Sequence, residues 1–230
     1  MIKAEVGGVD IKEEASNNAL PRKSRGNPSG INKPWQCAFI PMGGPQAHGK
    51  LIEKITESFQ AYGFEGTSLS TISKATGLIK ASLYWRFPAG KEEMAEAALR
   101  SVDQQFSHHI LKPIDEAGPV ATRLSKVANR LREFYGDGKR ACLIDTLTLG
   151  GSPPAIQRHA KLTLELWVTK FEKLARESGL DRATARRAAE DAVAALEGGL
   201  VLARVSGDRD AFRRAVESLG ERLTKAARRI

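Results

Sequence analysis

The side chains best equipped for chemistry lie close together. Between Gly63 and Glu92, the run GFEGTSLSTISKATGLIKASLYWRFPAGKE carries Thr67, Ser68, Ser70, Lys80, Ser82, Tyr84, Trp85 and Lys91. Hydroxyls and amines of this kind donate hydrogen bonds to phosphate oxygens and base edges, and aromatic rings add apolar contact. No paired acids, nucleophile elbow or metal-spaced cluster accompanies them, so the chemistry they offer is recognition.

Helices must hold these groups outward. Upstream, Leu51, Ile52, Ile55, Phe59 and Tyr62 recur at helical spacing and predict one apolar face. Gly63 supplies a left-handed stop. Thr67 and Ser68 are candidate caps of a short helix that turns Leu69, Ile72 and Ala75 inward and Ser70, Thr71 and Lys74 outward. Gly77 permits a sharp corner and Leu78 plugs the junction. A third helix is expected from about Ile79 to Phe87, with Leu83 and Phe87 toward the core. Lys80, Ala81, Ser82, Tyr84 and Trp85 are left on its outer surface. Two short helices about a glycine corner outline a helix-turn-helix, whose second helix can enter a DNA major groove. Spacing alone leaves a second reading open, a packing unit in a helical interaction protein that never meets DNA.

The segment ITESFQAYGFEGTSLSTISKATGLIKASLYWRFPAGKEEM resembles the DNA-binding domain of the TetR family of bacterial regulators. The resemblance rests on Phe59, Gly63, Thr67, Ile72, Ala75, Gly77, Ser82-Leu83-Tyr84, Phe87-Pro88 and Lys91-Glu92. It is specific from Lys50 to about Leu99 and architectural beyond. Ala89-Gly90 ahead of Lys91 is similar to the PGGKE pattern of the LmrA/YxaF-like branch. The resemblance implies that Thr67, Ser68, Tyr84 and Lys91 contact phosphates. It also implies that Lys80, Ala81, Ser82 and Trp85 face base edges, with Ser70 on the same outward surface. Ile79 stands where the family often has Ser or Pro. Ala81 stands where it usually has Gly, and the added methyl can touch a thymine methyl.

The rest of the chain reads as helices with short breaks, so the fold class expected is all-α. Helices are expected at about 92–110, 120–135, 141–149, 155–178 and 181–206, with a last one from 208 to the C-terminus. Asp181 can cap one of them. Gly198-Gly199 within a helix costs about 1 kcal/mol per glycine relative to alanine, which a closely approaching helix would offset. Residues 1–45 break any helical period and read as a disordered or extended tail. Residues 46–92 read as the helix-turn-helix domain, and 93–230 as a helical domain for effector binding and dimerisation.

By resemblance, the two long helices between Ala155 and Ser206 form a four-helix dimer interface that pairs two heads on a palindromic operator. The resemblance also implies a repressor released by a small apolar molecule. Candidate walls for that molecule are Phe106, Phe134, Cys142, Thr146, Leu147, Trp167 and Phe171, residues of kinds that more often serve as plain core.

Composition limits the alternatives. A net charge of +9 and a pI near 9.7 suit an anionic partner such as double-stranded DNA. Two cysteines, Cys37 and Cys142, give no disulfide framework and fit a reducing cytoplasm. No apolar run approaches a membrane span or a signal core. Gly44-Pro45-Gln46-Ala47-His48-Gly49-Lys50 fills the first seven places of a phosphate-binding loop, but Leu51 stands where Ser or Thr must hold magnesium. No cofactor or metal is expected, and no enzyme activity.

Overall fold

A computed structural model describes residues 45–224. The expected tail at 1–45 lies outside them but for Pro45. Ten α-helices follow one another in this span: α1 (Pro45–Gly66), α2 (Leu69–Thr76), α3 (Lys80–Arg86), α4 (Lys91–Phe106), α5 (Val120–Phe134), α6 (Leu143–Thr148), α7 (Pro154–Glu177), α8 (Arg182–Ser206), α9 (Asp210–Glu217) and α10 (Leu219–Leu223). No strand occurs among the described residues, so the architecture is all-α. Residues 45–50 form the start of α1 rather than a phosphate-binding loop after a strand. The division expected at 92/93 falls inside α4.

The head is α1 to α3, with α1 packed on α2 and on α4 and α6 behind it. Ile55, Phe59, Ile72, Leu83 and Met94 are its solvent-free centre. Gly63 breaks the helical run at φ 67°, ψ −175°. A Cβ there would stand 3.0 Å from the Thr146 carbonyl oxygen, so both the backbone conformation and the close seat on α6 demand glycine. The break re-aims the chain, and Phe64 then stacks on Phe59 with ring centroids 6.2 Å apart. Tyr62, expected on the buried face, is instead 59% exposed. Ala75, also expected inward, is exposed, and half-buried Thr76 takes its place. At about 100° per residue, seven steps bring a helix back over Leu69 and six do not.

Behind the head, α4 ends earlier than the apolar periodicity predicts. Its last turn widens to π spacing over Ser107–Leu111 and then tightens to 3-10 over Lys112–Asp115. Pro113 explains the change. It has no N–H to give the carbonyl four residues earlier, which belongs to His109. Arg130 Nη1 on α5 donates to that carbonyl at 2.8 Å. The single last helix expected from 208 is two, α9 and α10, broken at Ser218.

The longest helices, α7 and α8, lie against each other, and α9 packs across α8. Asp181 Oδ1 accepts from Thr184 N at 3.0 Å and caps α8, as its position predicts. A Cβ on Gly199 would stand 2.8 Å from the Phe212 Cα, so that glycine lets α9 close on α8. Gly198 is different: a Cβ there would meet nothing within 4 Å.

Candidate nucleic-acid interface

The corner between α2 and α3 is built from backbone and short hydroxyls. Ser68 Oγ accepts from Thr71 N at 3.0 Å and caps α2. Gly77 ends α2 in the left-handed conformation at φ 73°, its N–H donating to Ser73 O at 3.0 Å. Ser73 Oγ then donates to Leu78 O at 2.6 Å, tying the corner shut. Ile79 precedes α3 with no side-chain cap. The first N–H groups of α3 therefore lack a side-chain acceptor from their own cap.

Thr67 corrects an expectation. It is fully buried, and its hydroxyl donates to Gly63 O at 2.6 Å, with Ser58 O at 3.2 Å. That hydroxyl braces the break in α1 and is not presented to a phosphate, and capping falls to Ser68 alone. Thr67→Val should lower the unfolding free energy by about 1–3 kcal/mol, because the one hydroxyl proton shared between Gly63 O and Ser58 O is lost. Urea denaturation checks this. An unchanged midpoint would mean that the bond contributes nothing.

The outer surface of α3 is as the spacing predicts. Lys80, Ala81, Tyr84 and Trp85 are exposed and Ser82 is half-buried. Ala81 and Trp85 stand one turn apart, as do Lys80 and Tyr84. Ile79 adds to this surface at 69% exposure, beside Trp85 at 59% and Tyr84 at 48%. Sequence reasoning set Ile79 aside as a missing cap, although its place just past the glycine corner was the signal. The Tyr84 ring leans on Gly90, where a Cβ would come within 3.3 Å of Cε1. The tyrosine thus packs through one edge while staying half-exposed. Arg86 lies 5.9 Å from the Trp85 ring centroid. Ser68 and Ser70 are exposed on α2 and its cap.

Lys91 reaches back to the head. Its Nζ donates to Phe64 O at 3.0 Å and sits 4.2 Å from the Phe64 ring centroid. One of its three N–H groups is thus engaged, and the half-buried side chain keeps the rest.

The residues expected to wall an effector cavity are mostly close-packed. Phe106 stacks on Trp167 with centroids 4.1 Å apart and meets Phe134 edge-on at 5.4 Å. Phe106, Cys142, Thr146, Leu147, Trp167 and Phe171 are each at most 5% exposed. Phe134 is half-buried and lines a cleft of about 360 Å³ between α1, α4 and the end of α5. Beside this core lies a polar inclusion. Glu197 on α8 lies near the Cys142 thiol, and burial pushes its carboxyl up to about 7. Burial also raises Cys142 and Tyr135 well above their ordinary ranges. The buried Glu197 Oε2 has no hydrogen-bond partner among the described residues.

One helical face remains uncovered. On α7, Leu162 is 72% and Leu166 42% exposed. On α8, Leu202 is 55% and Val205 77% exposed, and Ala194 and Gly198 are exposed along the same side. Among the described residues no helix is long and apolar enough to cross a membrane, and no cluster of potential ligands suits a metal.

Comparison with known proteins accounts for this geometry. Residues 51–98 match the family described as bacterial regulatory proteins, tetR family. Residues 120–218 match the C-terminal domain of LmrA/YxaF-like transcriptional regulators. The HTH-type transcriptional regulator LmrA of Bacillus subtilis is 26% identical over 158 residues, covering 66% of this chain and 84% of LmrA. A TetR transcriptional regulator from Legionella pneumophila shares the fold at a TM-score of 0.68 and 20% identity, over 79% of this chain and 98% of that one. A CifR cysteine mutant solved with 26-bp double-strand operator DNA aligns at a TM-score of 0.60 and 22% identity, over 74% and 93% of the two chains. A helix-turn-helix head matched by one profile and a helical body matched by the other make this chain a member of the TetR family of transcriptional regulators, a DNA-binding regulator and not an enzyme.

Proposed function

We propose that the protein is a homodimeric cytoplasmic repressor that reads a near-palindromic operator and lets it go when a small molecule binds its helical body. The carrying observation is the outer face of α3, where Lys80, Ala81, Tyr84 and Trp85 project from a helix whose other side is locked into the core through Leu83. A rigid seven-residue helix with that surface fits a major groove. The CifR relative, solved on operator DNA, supports the same use of the head. Ser68, Tyr84 and Lys91 are assigned to phosphates. Lys80, Ala81, Ser82 and Trp85 are assigned to base edges, with Ser70 beside them.

The uncovered Leu162, Leu166, Leu202 and Val205 supply the dimer contact. A second copy on this face also accounts for Gly198, a helix-interior glycine with open space around it. Two copies place two α3 helices about one helical turn of DNA apart, about 34–36 Å. A ligand releases DNA only if it binds one head spacing better than the other. The cleft beside Phe134 adjoins α1, so occupancy there would bias the head. An apolar part of the ligand suits the ring that borders it.

Selection of bound duplexes from a random pool, followed by anisotropy titrations, tests this reading. Lys80→Ala and Trp85→Ala should change preference at defined base pairs, each by about 1–3 kcal/mol. Lys91→Ala should weaken all duplexes alike and reduce the salt slope by about 1. Uniform loss from Lys80→Ala and Trp85→Ala would remove the base-facing assignment. A pool with no enriched inverted repeat would favour an interaction protein instead.

A further inference from the structure

The short connection from α5 to α6 is built at unusual conformational expense. Gly136, Asp137 and Gly138 carry consecutive positive φ values of 54°, 58° and 89°. Asp137 is the single non-glycine residue with positive φ among those described. Such a conformation persists only where its surroundings hold it. Here Asp137 Oδ2 accepts from Arg213 Nε at 2.9 Å and Oδ1 accepts from Arg132 Nε at 3.2 Å. Gly138 is equally constrained, since a Cβ would come within 3.2 Å of the Phe212 ring and 3.4 Å of Arg209 Cβ. Gln60 on α1 donates to Ala141 O at 2.8 Å and fixes the far end.

What the braced loop presents is charge. Lys139 and Arg140 follow it directly and line a cleft of about 580 Å³, together with Arg204 and Arg209 from the end of α8 and its sequel. Glu57 on α1 is the one carboxylate among the lining residues. Arg204 is paired with Asp145 at 3.1 Å, and Arg140 Nη2 donates to Glu133 O at 2.9 Å. Lys139 and Arg209 have no side-chain hydrogen bond or ion pair with a described residue. Setting Glu57 against one cation and Asp145 against Arg204 still leaves a positive excess. Between these charges the lining includes buried Leu200 and Ala203. The volume lies in the range of small-molecule sites.

We propose that this cleft binds a small organic anion: one carboxylate, sulfonate or phosphate held by Lys139 and Arg209, on an apolar body laid against Leu200 and Ala203. Two cations that line one cleft with no anion of their own, one of them directly after a strained and braced loop, suit such a group. The cleft is walled by α1 on one side and by the end of α8 on the other. It shares Glu57, Gln60 and Arg140 with the cleft beside Phe134. As an effector site it rests on the regulator reading above, and it gives the effector a charged end. As an anion site it stands independently of that reading.

The test uses the full chain without DNA, so its failure and the failure of the regulator reading are distinguishable. The probe is 8-anilinonaphthalene-1-sulfonate, followed by fluorescence titration, with neutral N-phenyl-1-naphthylamine as its uncharged counterpart. The sulfonate should bind at least about tenfold more tightly than the neutral amine. Lys139→Met with Arg209→Met keeps the apolar stems and should remove about tenfold of sulfonate affinity while leaving the amine unchanged. Equal affinity for the two probes in the wild-type protein would overturn the proposal, whether or not the double variant folds. So would a folded double variant that binds the sulfonate as well as wild type.

Discussion

Leu162→Glu combined with Leu202→Glu should leave a folded monomer whose affinity for an inverted-repeat duplex is lower by about 10²–10⁴-fold. Both leucines are largely in solvent within one chain, at 72% and 55% exposure, so the substitutions remove little packing from the subunit itself. They place like charges across the proposed contact, where burying unpaired carboxylates costs more than the dimer gains. Each head then binds its half-site alone and loses the effective concentration that its tethered twin supplies. Sedimentation velocity and anisotropy on the same sample read both halves of the expectation. A variant that still sediments as a dimer would move the interface elsewhere.

Glu197→Gln should raise the unfolding free energy by about 3 kcal/mol at pH 8 and leave it nearly unchanged below pH 4.5. Burial lifts this carboxyl from 4.5 to about 7, with the nearby Cys142 thiol pulling the other way and the Asp145 charge adding a smaller lift. An acid raised on folding holds its proton in the native state after the unfolded chain has released it. Between pH 4.5 and about 7 the unfolded state therefore binds fewer protons, and stability falls as pH rises. Above that window the native protein carries a buried charge whose Oε2 no described group satisfies. The amide removes that charge at every pH. Parallel urea curves from pH 4 to 8 are the measurement, and a wild-type curve flat across the window would refute the assignment. Operator affinity of the variant shows whether the same ionisation reaches the head, because Cys142 opens α6, on which Gly63 is seated.

The outer surface of α3 was legible because local rules alone determine it. Leu83 and Phe87 had to face inward, the glycine corner had to turn, and Lys80, Ala81, Tyr84 and Trp85 were left outside. Thr67 was misjudged for a physical reason: a hydroxyl beside a helix start serves equally as a cap or as a brace. Which one it becomes depends on where the preceding glycine sends the chain. Tyr62 failed in the same way, since periodicity names a face but not the element that covers it. The early end of α4 needed Pro113 and Arg130 together, residues 17 positions apart in sequence. The cleft under Lys139 and Arg209 left only one local trace. Its walls come from α1, the α5–α6 turn and α8, and the clue that does appear locally, Gly136-Asp137-Gly138, reads as an ordinary turn until its braces are seen.

The glycine doublet in α8 carries a last consequence. Neighbours in sequence, Gly198 and Gly199 point about 100° apart on the helix and answer to different masters. Gly199 is held by its own chain through Phe212, whereas Gly198 faces open space in the single subunit, on the side where the proposed second copy would lie. Laboratory evolution for heat tolerance alone would thus erode Gly198 and spare Gly199, whereas evolution for gene silencing would retain both.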